Sequence, residues 1–401
     1  MPMSASTLFP ARCLRPCFDK RRASVKKLFR FAGDYIRNTD WVLISLCTAA
    51  SALSALLLFG IHLADMATVR AIKVQALASA LGIAAAIIIS RFDYKFLARL
   101  WKLYLPVTVG LVVLTYFFGE QRLETVDDKA WLPIPFLNLS IQPSELLKIA
   151  FILSFAFHLD KVREEIQSLR QVLLLCLHGA VPVLLIHFQG DDGTALIFLL
   201  IFLFMIFSAG LPWRYLLTAG AGVALLSPVA WLYLLTNDQK LRVLSILIPD
   251  MADPLGQDYQ QYNARIAIGS GGVFGKGLFS GTHVYVPEIH NDFIFSFVGE
   301  ALGFIGCFGV VLLLFAICLR LLSISRRSQD HLGSFICIGL FAMVAAQSII
   351  NIGMNLSLLP VIGVTLPFLS YGGTSVTTLY LGMGLALSVS MHNRKNLFTD
   401  G

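Results

Sequence analysis

Charged residues are scarce in this chain of 401 residues, and their scarcity excludes a soluble fold. Asp, Glu, Lys and Arg make up 14% of the sequence and apolar residues 57%, whereas soluble domains average about 25% charged and 45–50% apolar. Many uncharged apolar runs are about 20 residues long, which is the length that a helix needs to cross a bilayer. The composition therefore predicts a polytopic membrane protein.

The sequence also lacks the cysteine pattern of a disulfide-stabilised or zinc-binding protein. Its seven cysteines all lie in the N-terminal tail or within apolar runs, so no disulfide framework is expected on the oxidising side of a membrane. Cys13 and Cys17 have no second pair of ligands at the spacing of a zinc site. The net charge of +7 is explained by membrane topology, and no nucleic-acid partner is expected.

Ten apolar segments predict an all-α fold, a polytopic membrane bundle of about ten transmembrane helices. The first segment is too long, and lies too far from the N-terminus, for a cleavable signal peptide. The fourth is short and contains Lys148. The predicted helices span residues 41–63, 74–90, 98–118, 143–159, 171–188, 194–211, 215–235, 293–320, 333–353 and 373–391.

Lysine and arginine are distributed unevenly between the two sides of this bundle. Most of the 31 lie in a basic tail at residues 1–40, in alternate connections, and in a short tail at residues 393–401. The positive-inside rule places that side in the cytoplasm. Both termini are therefore expected in the cytoplasm, on either side of a transmembrane domain at residues 41–392.

Two connections on the opposite, outer side are unusual. The connection at residues 236–292, between the seventh and eighth helices, is long, polar and rich in glycine. Loops of such length are usually functional or disordered, and the apolar periodicity and aromatic residues favour order. The connection at residues 351–372 is mostly apolar, with Pro360 and Pro367, and predicts a re-entrant or interfacial hairpin that protein must cover.

Ionisable residues close to the membrane are energetically unfavourable, so each is a candidate for function. Glu145 and Lys148 lie three residues apart on one predicted helix and can neutralise each other, which leaves a structural and a functional role equally open. Asp191 and Asp192 precede a predicted helix. Asp192-Gly193-Thr194 opens that helix, where a carboxylate typically caps the N-terminus, and capping by Asp192 is the favoured interpretation.

Asp292 lies where the long outer connection meets the eighth helix. Capping of that helix is one interpretation. The carboxylate would also lie at the outer mouth of the bundle, partly removed from water, where it could act as a general base. The residues alone leave both interpretations open.

Several basic residues are expected on the outer side, against the topological bias. A phosphate ligand would explain them, and pairing with Asp250, Asp253 and Asp258 is the alternative. The basic residues are Lys129, Lys240, Arg242, Arg265 and Lys276.

The glycine-rich run at residues 268–282 is not a nucleotide-binding P-loop. Ser270 stands where the first glycine is required, and Gly277 follows Lys276 where Ser or Thr is required. The glycines are expected to permit tight turns and close approach of the backbone.

Five motifs that follow one another along the chain carry a family likeness. They are QPSELLK (142–148), GDDGTALIF (190–198), AIGSGGVFGKGLFSGT (267–282), VPEIHNDFIFSFVGEALGFIG (286–306) and NIGMNLSLLPVIGVTLPFLSYGGTS (351–375). Together they resemble the SEDS family (shape, elongation, division and sporulation) of bacterial membrane peptidoglycan glycosyltransferases. The resemblance covers roughly residues 41–392, and the glycine run is most similar to the elongation (RodA) branch.

The resemblance implies a reaction and a set of residues for it. The family polymerises lipid II, an undecaprenyl-pyrophosphate disaccharide-pentapeptide, on the outer face of the membrane, with inversion to β-1,4 links, for cell elongation and shape. Its essential acidic residue corresponds to Asp292, as general base. A divalent cation, Mg²⁺ or Mn²⁺, is expected to assist. The candidates for binding the leaving pyrophosphate are Lys129, Lys148, Arg265 and Lys276, and those for positioning or tuning are Glu145, Glu288, His290 and Glu300.

The resemblance further implies a location and partners. The chain is expected in the bacterial cytoplasmic membrane, among membrane lipid, with a class B penicillin-binding protein as its transpeptidase partner. Two positions depart from the family pattern. The cation before the fourth helix stands one residue further from the tryptophan, in Lys129-Ala130-Trp131, and Asn291 replaces a threonine.

Two other functions remain possible for a bundle with charged residues in or near the membrane. One is a lipid II flippase, although transporters tend to place charge near the midplane of two symmetric halves and no internal repeat is visible. The other is a non-catalytic scaffold of a division or sporulation wall-synthesis complex, in which Asp292 is only a cap.

Overall fold

The computed structural model describes residues 37–120, 129–134, 139–237, 239–241, 244 and 258–396. The predicted basic tail therefore lies outside the described residues except at its last four positions, as does most of the predicted C-terminal tail. The middle of the long outer connection, with Arg242, Asp250 and Asp253, also lies outside them.

The described chain is built almost entirely of helices. A short 3₁₀ turn, Arg163–Glu165, follows α5, and a π-helical turn, Ala230–Leu234, continues α8. Two short strands, β1 (Leu132–Ile134) and β2 (Leu139–Ile141), precede α5. The helices are α1 (Trp41–Leu63), α2 (Val69–Ile89), α3 (Tyr94–Arg99), α4 (Trp101–Phe118), α5 (Pro143–Val162), α6 (Leu169–His187), α7 (Asp192–Ser208), α8 (Trp213–Val229), α9 (Tyr259–Ser270), α10 (Ile294–Arg326), α11 (His331–Asn355) and α12 (Gly373–Asn396).

All ten predicted membrane helices are present, and the all-α membrane fold is confirmed. Eight helices among the described residues are long and apolar enough to cross a membrane. Of the other two predicted spans, α7 is apolar but shorter, and α5 contains charged residues. The predicted third helix is divided at Leu100 into α3 and α4.

The centre of the bundle is occupied by α5, a span that contains charged residues. Residues from Pro143 to Ala156 of α5 are buried with the single exception of Leu146, since α4, α6, α11 and α12 all pack around it. In contrast, α8 has no buried residue among those described. A helix in the middle of the bundle can carry charge because neighbouring side chains, rather than lipid, surround it.

Helix α10 is broken at Gly303, whose backbone angles (φ 67°, ψ −163°) are not helical. Residues 271–284, here called the glycine strap, lie against the break. Backbone groups that lose their helical partner in a membrane must be satisfied elsewhere. Four hydrogen bonds of 2.9–3.2 Å do this: Lys276 N to Glu300 O, Gly277 N to Ala301 O, Phe304 N to Gly272 O and Ile305 N to Val273 O.

The glycines of the strap allow this close contact. A Cβ atom at Gly271 would lie 2.0 Å from Gly299 O, and one at Gly275, where φ is 82°, would lie 2.3 Å from Ala301 O. Both distances are far shorter than any van der Waals contact. The prediction that these glycines permit close backbone approach is confirmed.

The apolar connection after α11 folds back over the bundle. In this return segment, residues 356–372, the carbonyls of Leu369 and Ser370 accept hydrogen bonds from Ser54 Oγ (2.6 Å) and Gln75 Nε2 (3.2 Å). Its residues 366–370 are buried. The segment is covered by protein, as predicted for a hairpin at this position.

A small β-hairpin, which the helical interpretation of the sequence missed, precedes α5. Its strands pair antiparallel, with Leu132 opposite Ile141 and Ile134 opposite Leu139. Strands of three residues are too short to produce a recognisable alternation of apolar and polar residues. The hairpin brings residues 129–131 back to the end of α4, where Glu120 N donates to Trp131 O (2.8 Å).

Candidate active site

Asp292 is held at the start of α10 through its own backbone. The side-chain amides of Asn351 and Asn355, both fully buried, donate to the Asp292 carbonyl oxygen at 2.8 and 2.9 Å. Asn355 Oδ1 in turn accepts from Ser296 N (3.1 Å), and Asn351 Nδ2 also donates to Val364 O (2.7 Å). Asp292 itself is partly exposed, so its backbone is held by buried side chains while the residue reaches the protein surface.

Helix α10 begins directly after Asp292 and Phe293. The N-cap residue is Phe293, and no side-chain capping bond is made there. The turn that precedes it is closed instead by the Asn291 and Phe293 amides, which donate to Glu288 O at 2.9 and 3.3 Å. Glu288 has a φ of 56°, which is uncommon for a residue other than glycine.

The same turn is attached to the return segment. Tyr371 N donates to His290 O (2.8 Å), and Ser370 Oγ donates to Asn291 O. Asn291, buried where the family pattern has a threonine, donates through its amide to the Glu288 carboxylate. Glu288 and His290 thus lie in the turn that precedes Asp292, and their role as positioning residues stays a prediction.

A second group of charges lies at the start of α5. Lys148 Nζ is 2.9 Å from Glu145 Oε1, and both side chains are buried. The predicted pair therefore forms. Because the charges neutralise each other where water is excluded, removal of either would leave an unpaired buried charge.

Asp191 belongs to this second group. Its carboxylate caps α7 by accepting from Thr194 N (2.9 Å) and also accepts from Gln142 Nε2 (3.1 Å). Burial raises the pKa of Asp191 above its usual range, whereas its hydrogen bonds from Thr194 and the nearby Lys148 ammonium oppose that rise. The structure makes this cap with Asp191 rather than with the predicted Asp192, because α7 begins at Asp192, two residues before its predicted start.

Asp192, the first residue of α7, has different partners. Its two carboxylate oxygens contact His187 Nδ1 (2.6 Å) and Gln239 Nε2 (2.9 Å). Both His187 and Asp192 are close to half-exposed. The two adjacent carboxylates therefore have separate partners: Asp191 caps α7, and the partly exposed Asp192 contacts His187 and Gln239.

The return segment lies between α7 and Asp292. A Cβ atom at Gly193 would lie 1.9 Å from Ile362 O, and one at Gly363 would lie 3.8 Å from Asp292 Oδ2. Summed over standard bond lengths, these contacts place the Asp292 carboxylate within about 13 Å of the Gly193 Cα atom. The start of α7, the return segment and Asp292 therefore lie together at one end of the bundle, in a region here called the basin.

Glu300 and Lys276 form a separate cluster on the glycine strap. Glu300 is fully buried, with Lys276 Nζ at 2.6 Å. Its carboxylate also accepts from Val284 N (3.0 and 3.1 Å), and His283 Nδ1 lies 3.4 Å away. The structure therefore joins these two predicted site residues to each other, eight residues beyond Asp292, rather than to Asp292 itself.

Lys129 and Arg265, like Lys276, are exposed cations among the predicted residues. Lys129 follows the end of α4, where its carbonyl accepts from Gln189 Nε2 (2.9 Å). Arg265 lies on α9, which Gln261 attaches to the end of α11 by donating to Met354 O (2.9 Å). Both cations lie on elements that surround the basin.

The geometry can be compared with that of known proteins. Residues 38–395 match the cell cycle protein family FtsW/RodA/SpoVE, which is nearly the whole chain. The chain belongs to this family. Its members are the SEDS proteins that the five sequence motifs indicated.

Three SEDS relatives illustrate the likeness in sequence. Peptidoglycan glycosyltransferase MrdB of Escherichia coli K12 is 36% identical over 269 residues, which cover 66% of this chain and 71% of MrdB. Stage V sporulation protein E of Bacillus subtilis is 36% identical over 328 residues, covering 80% and 87%. Probable peptidoglycan glycosyltransferase FtsW of Trichlorobacter lovleyi is 33% identical over 328 residues, covering 80% and 83%.

Solved structures of SEDS proteins share the fold. RodA of Thermus thermophilus superimposes with a TM-score of 0.65 at 26% identity, over 88% of this chain and 96% of RodA. A chain in a peptidoglycan synthase complex that coordinates polymerization and crosslinking gives 0.74 at 28% identity, over 88% and 98%. The predicted family and glycosyltransferase activity are thus confirmed, and the chain is a multi-pass membrane protein.

Some residues that build this SEDS site were missed in the sequence. Asn351 and Asn355 lie in one of the five motifs but were not predicted, because asparagine is uncharged and only ionisable residues near the membrane were taken as candidates. Their spacing of four residues, which places both on one helix face, was the available signal. The relatives include a sporulation protein and a rod-shape determining protein, so the elongation branch stays a prediction.

Proposed function

We propose that this chain polymerises lipid II at the basin that Asp292 borders, with Asp292 as the general base. The observation that carries the proposal is the backbone clamp on Asp292. Two buried asparagines fix its carbonyl while the residue stays partly exposed. A base must be positioned to a fraction of an ångström while remaining in reach of its substrate, and this arrangement meets both needs.

In the proposed reaction the acceptor 4-hydroxyl gives its proton to the Asp292 carboxylate. Its oxygen forms a bond to the anomeric carbon of the donor sugar. The bond from that carbon to the lipid pyrophosphate breaks on the opposite side, which inverts the configuration to a β-1,4 link. Positioned general bases contribute about 10²–10⁴-fold to such rates.

The leaving pyrophosphate needs positive charge. Lys129 and Arg265 are favoured as its direct contacts, since Lys148 is buried against Glu145 and Lys276, although exposed, is paired with Glu300. We assign Lys148 and Lys276 the role of holding their carboxylates in place. Glu288 and His290 are assigned to the turn that positions Asp292.

A divalent cation, Mg²⁺ or Mn²⁺, remains part of the proposal without a complete site. No group of three His, Cys, Asp or Glu side chains in the described ranges is placed to hold a metal, so the residues present do not fit a metal centre made by protein alone. Mg²⁺ commonly takes one or two carboxylates together with substrate phosphates. No step above depends on the ion, and loss of activity with EDTA that only Mg²⁺ or Mn²⁺ restores would support it.

The location and partners follow the same proposal. We place the basin on the outer face of the bacterial cytoplasmic membrane and both termini in the cytoplasm, in agreement with the positive-inside rule. A class B penicillin-binding protein is the proposed partner, because a structural neighbour comes from a peptidoglycan synthase complex. Cell elongation is the proposed process.

The test is glycan-chain formation from purified lipid II, with the transpeptidase partner present. Wild type should form polymer, and Asp292→Asn should lose at least about 100-fold of the rate while folding normally. Asp65→Asn is a matched control, because Asp65 is an exposed carboxylate in the connection between α1 and α2. Its φ of 56° is one that asparagine tolerates.

Each outcome separates the alternatives. Equal polymer from wild type and Asp292→Asn would refute Asp292 as the base. Absence of polymer from wild type, with a control polymerase active in the same mixture, would favour the flippase or the scaffold. Loss of activity in Asp65→Asn as well would mean that any change of charge at this end is harmful.

A further inference from the structure

A long groove runs along α5 at a distance from the proposed active site. Helices α4 and α6 both pack on α5 but meet each other far less, so α5 forms the floor between them. The cavity has a volume of about 410 Å³, and its floor extends from Leu147 to Lys161. At 1.5 Å per residue the floor is about 21 Å long.

The wall of this groove is apolar along most of its length. Leu105 and Val109 of α4, Phe151 of α5, and Val181 of α6 line it. Val181 is half-exposed, so the groove opens sideways, where the bilayer surrounds a membrane protein. A chain of one leaflet spans roughly half of the 30 Å hydrocarbon core, so the groove is long enough for one acyl chain.

Three polar side chains form a network inside the groove. His158 Nδ1 lies 3.1 Å from His178 Nδ1, and His178 Nε2 lies 3.2 Å from Ser154 Oγ. Both nitrogens of His178 are thereby engaged, while Nε2 of His158 has no partner within the described part of the chain. Polar side chains inside a membrane are functional candidates by default, and the proposed polymerase mechanism does not use these.

A cation, Lys161, lies at one end of the groove. Lys161 lies three residues after His158, on the same face of α5. Its ammonium lies 4.6 Å from the centre of the Phe157 ring and makes no ion pair with a residue that the structure describes. Lys161 and His158 therefore place two nitrogen donors where an apolar groove reaches the end of the helix.

We propose that this groove binds one anionic phospholipid, with an acyl chain along α5 and the phosphate between Lys161 and His158. The phosphate end lies about 21 Å from Leu147, which is next to the Glu145–Lys148 pair. The lipid would thus enter from the leaflet opposite to the basin, which distinguishes it from the lipid-linked substrate of the proposed reaction.

The experiment counts bound lipid and does not depend on polymerase activity. The purified full chain is titrated in detergent with phosphatidylglycerol, or with phosphatidylcholine of identical chains, and bound lipid is measured by native mass spectrometry. Wild type should bind phosphatidylglycerol about fivefold more tightly, since one basic residue near the surface is worth about 1 kcal/mol with an anionic lipid. Lys161→Gln should lose this preference but should still bind both lipids through their acyl chains.

Two further variants complete the test. Val181→Trp, which fills the groove from its exposed side, should weaken binding of both lipids at an unchanged melting temperature. Arg326→Gln is the matched control, because Arg326 is an exposed cation at the end of α10 with no place in the groove, and it should behave as wild type.

Three results would overturn the proposal. One is equal binding of the two lipids by wild type, and another is a preference that survives Lys161→Gln. The third is displacement of phosphatidylglycerol by undecaprenyl phosphate at lower concentration, which would assign the groove to a polyprenyl carrier instead.

Discussion

Asp292 and Glu300 lie eight residues apart at the same end of α10, yet their surroundings are opposite. Glu300 is fully buried, and its carboxylate receives an ammonium and a backbone amide. Asp292 is partly exposed, and its backbone carbonyl is the atom that two buried asparagines hold. The difference teaches that residue type and position suggest a site, whereas contacts decide whether a carboxylate anchors the fold or faces a substrate.

The largest effect that would test this comparison is on stability. Glu300→Ala leaves Lys276 and the Val284 amide without their acceptor and should lower the free energy of unfolding by about 3 kcal/mol. Glu300→Gln keeps an acceptor for the Val284 amide, so its free energy of unfolding should lie between those of wild type and Glu300→Ala. Asp292→Asn should unfold like wild type in a denaturant titration in detergent. Similar losses in Glu300→Ala and Asp292→Asn would remove the distinction between anchor and base.

The next effect concerns the clamp on Asp292. Asn355→Leu removes a donor to the Asp292 carbonyl and the acceptor of Ser296 N, and should cost about 2 kcal/mol of stability. Because the base is then less well positioned, kcat should fall by about 10- to 100-fold with little change in KM. Steady-state kinetics with lipid II measure both quantities. A change in KM alone would mean that the asparagine contacts substrate rather than positioning the base.

A smaller effect is the pH dependence of stability that Asp191 contributes. Burial raises the pKa of Asp191, so folding favours its protonated form and the contribution of this group to stability declines as pH rises from 3.8 through the raised value. Asp191→Asn keeps the helix cap, since asparagine caps as well as aspartate, and should remove this decline. Melting temperatures of both proteins between pH 4 and pH 8 provide the measurement, and parallel curves would contradict it.

The smallest effect is expected at Asp330, which caps α11 at the opposite end of the bundle by accepting from Gly333 N (2.8 Å). Burial alone would raise the pKa of Asp330, but hydrogen bonds from Lys95, the Gly333 amide and Tyr94 outweigh it and hold the pKa below its usual range. Stability from this group is present at neutral pH and is lost as pH falls through the lowered value.

Asp330→Asn tests this contribution. It should cost about 1 kcal/mol or less at pH 7, because Lys95 is partly exposed, and the difference from wild type should vanish in acid. A difference that grows as the pH falls would give the wrong sign and refute this account of the cap.

Much of the fold was predictable because membrane helices obey strong local rules. The sequence located all ten spans, and eight of them among the described residues are long and apolar enough to cross a bilayer, which requires about 20 apolar residues in each. The division of the third span at Leu100 and the paired strands β1 and β2 were not predictable, because neither leaves a periodic pattern.

The site was predictable only in its charged members. Motifs that resemble a family indicated Asp292 and the Glu145–Lys148 pair, but the roles of Lys276 and Glu300 changed once their contact was known. Uncharged residues such as Asn351 and Asn355 gave no signal strong enough to single them out.

The sequence by itself determined the membrane class, the helices and the family, because composition, span length and motif order are properties of the chain alone. Only the tertiary structure decided which groups meet. The strap reaches the break at Gly303, and the return segment lies between α7 and Asp292, through contacts between residues far apart in sequence. Such contacts depend on how helices pack, and packing is not encoded in any local pattern that can be read along the chain.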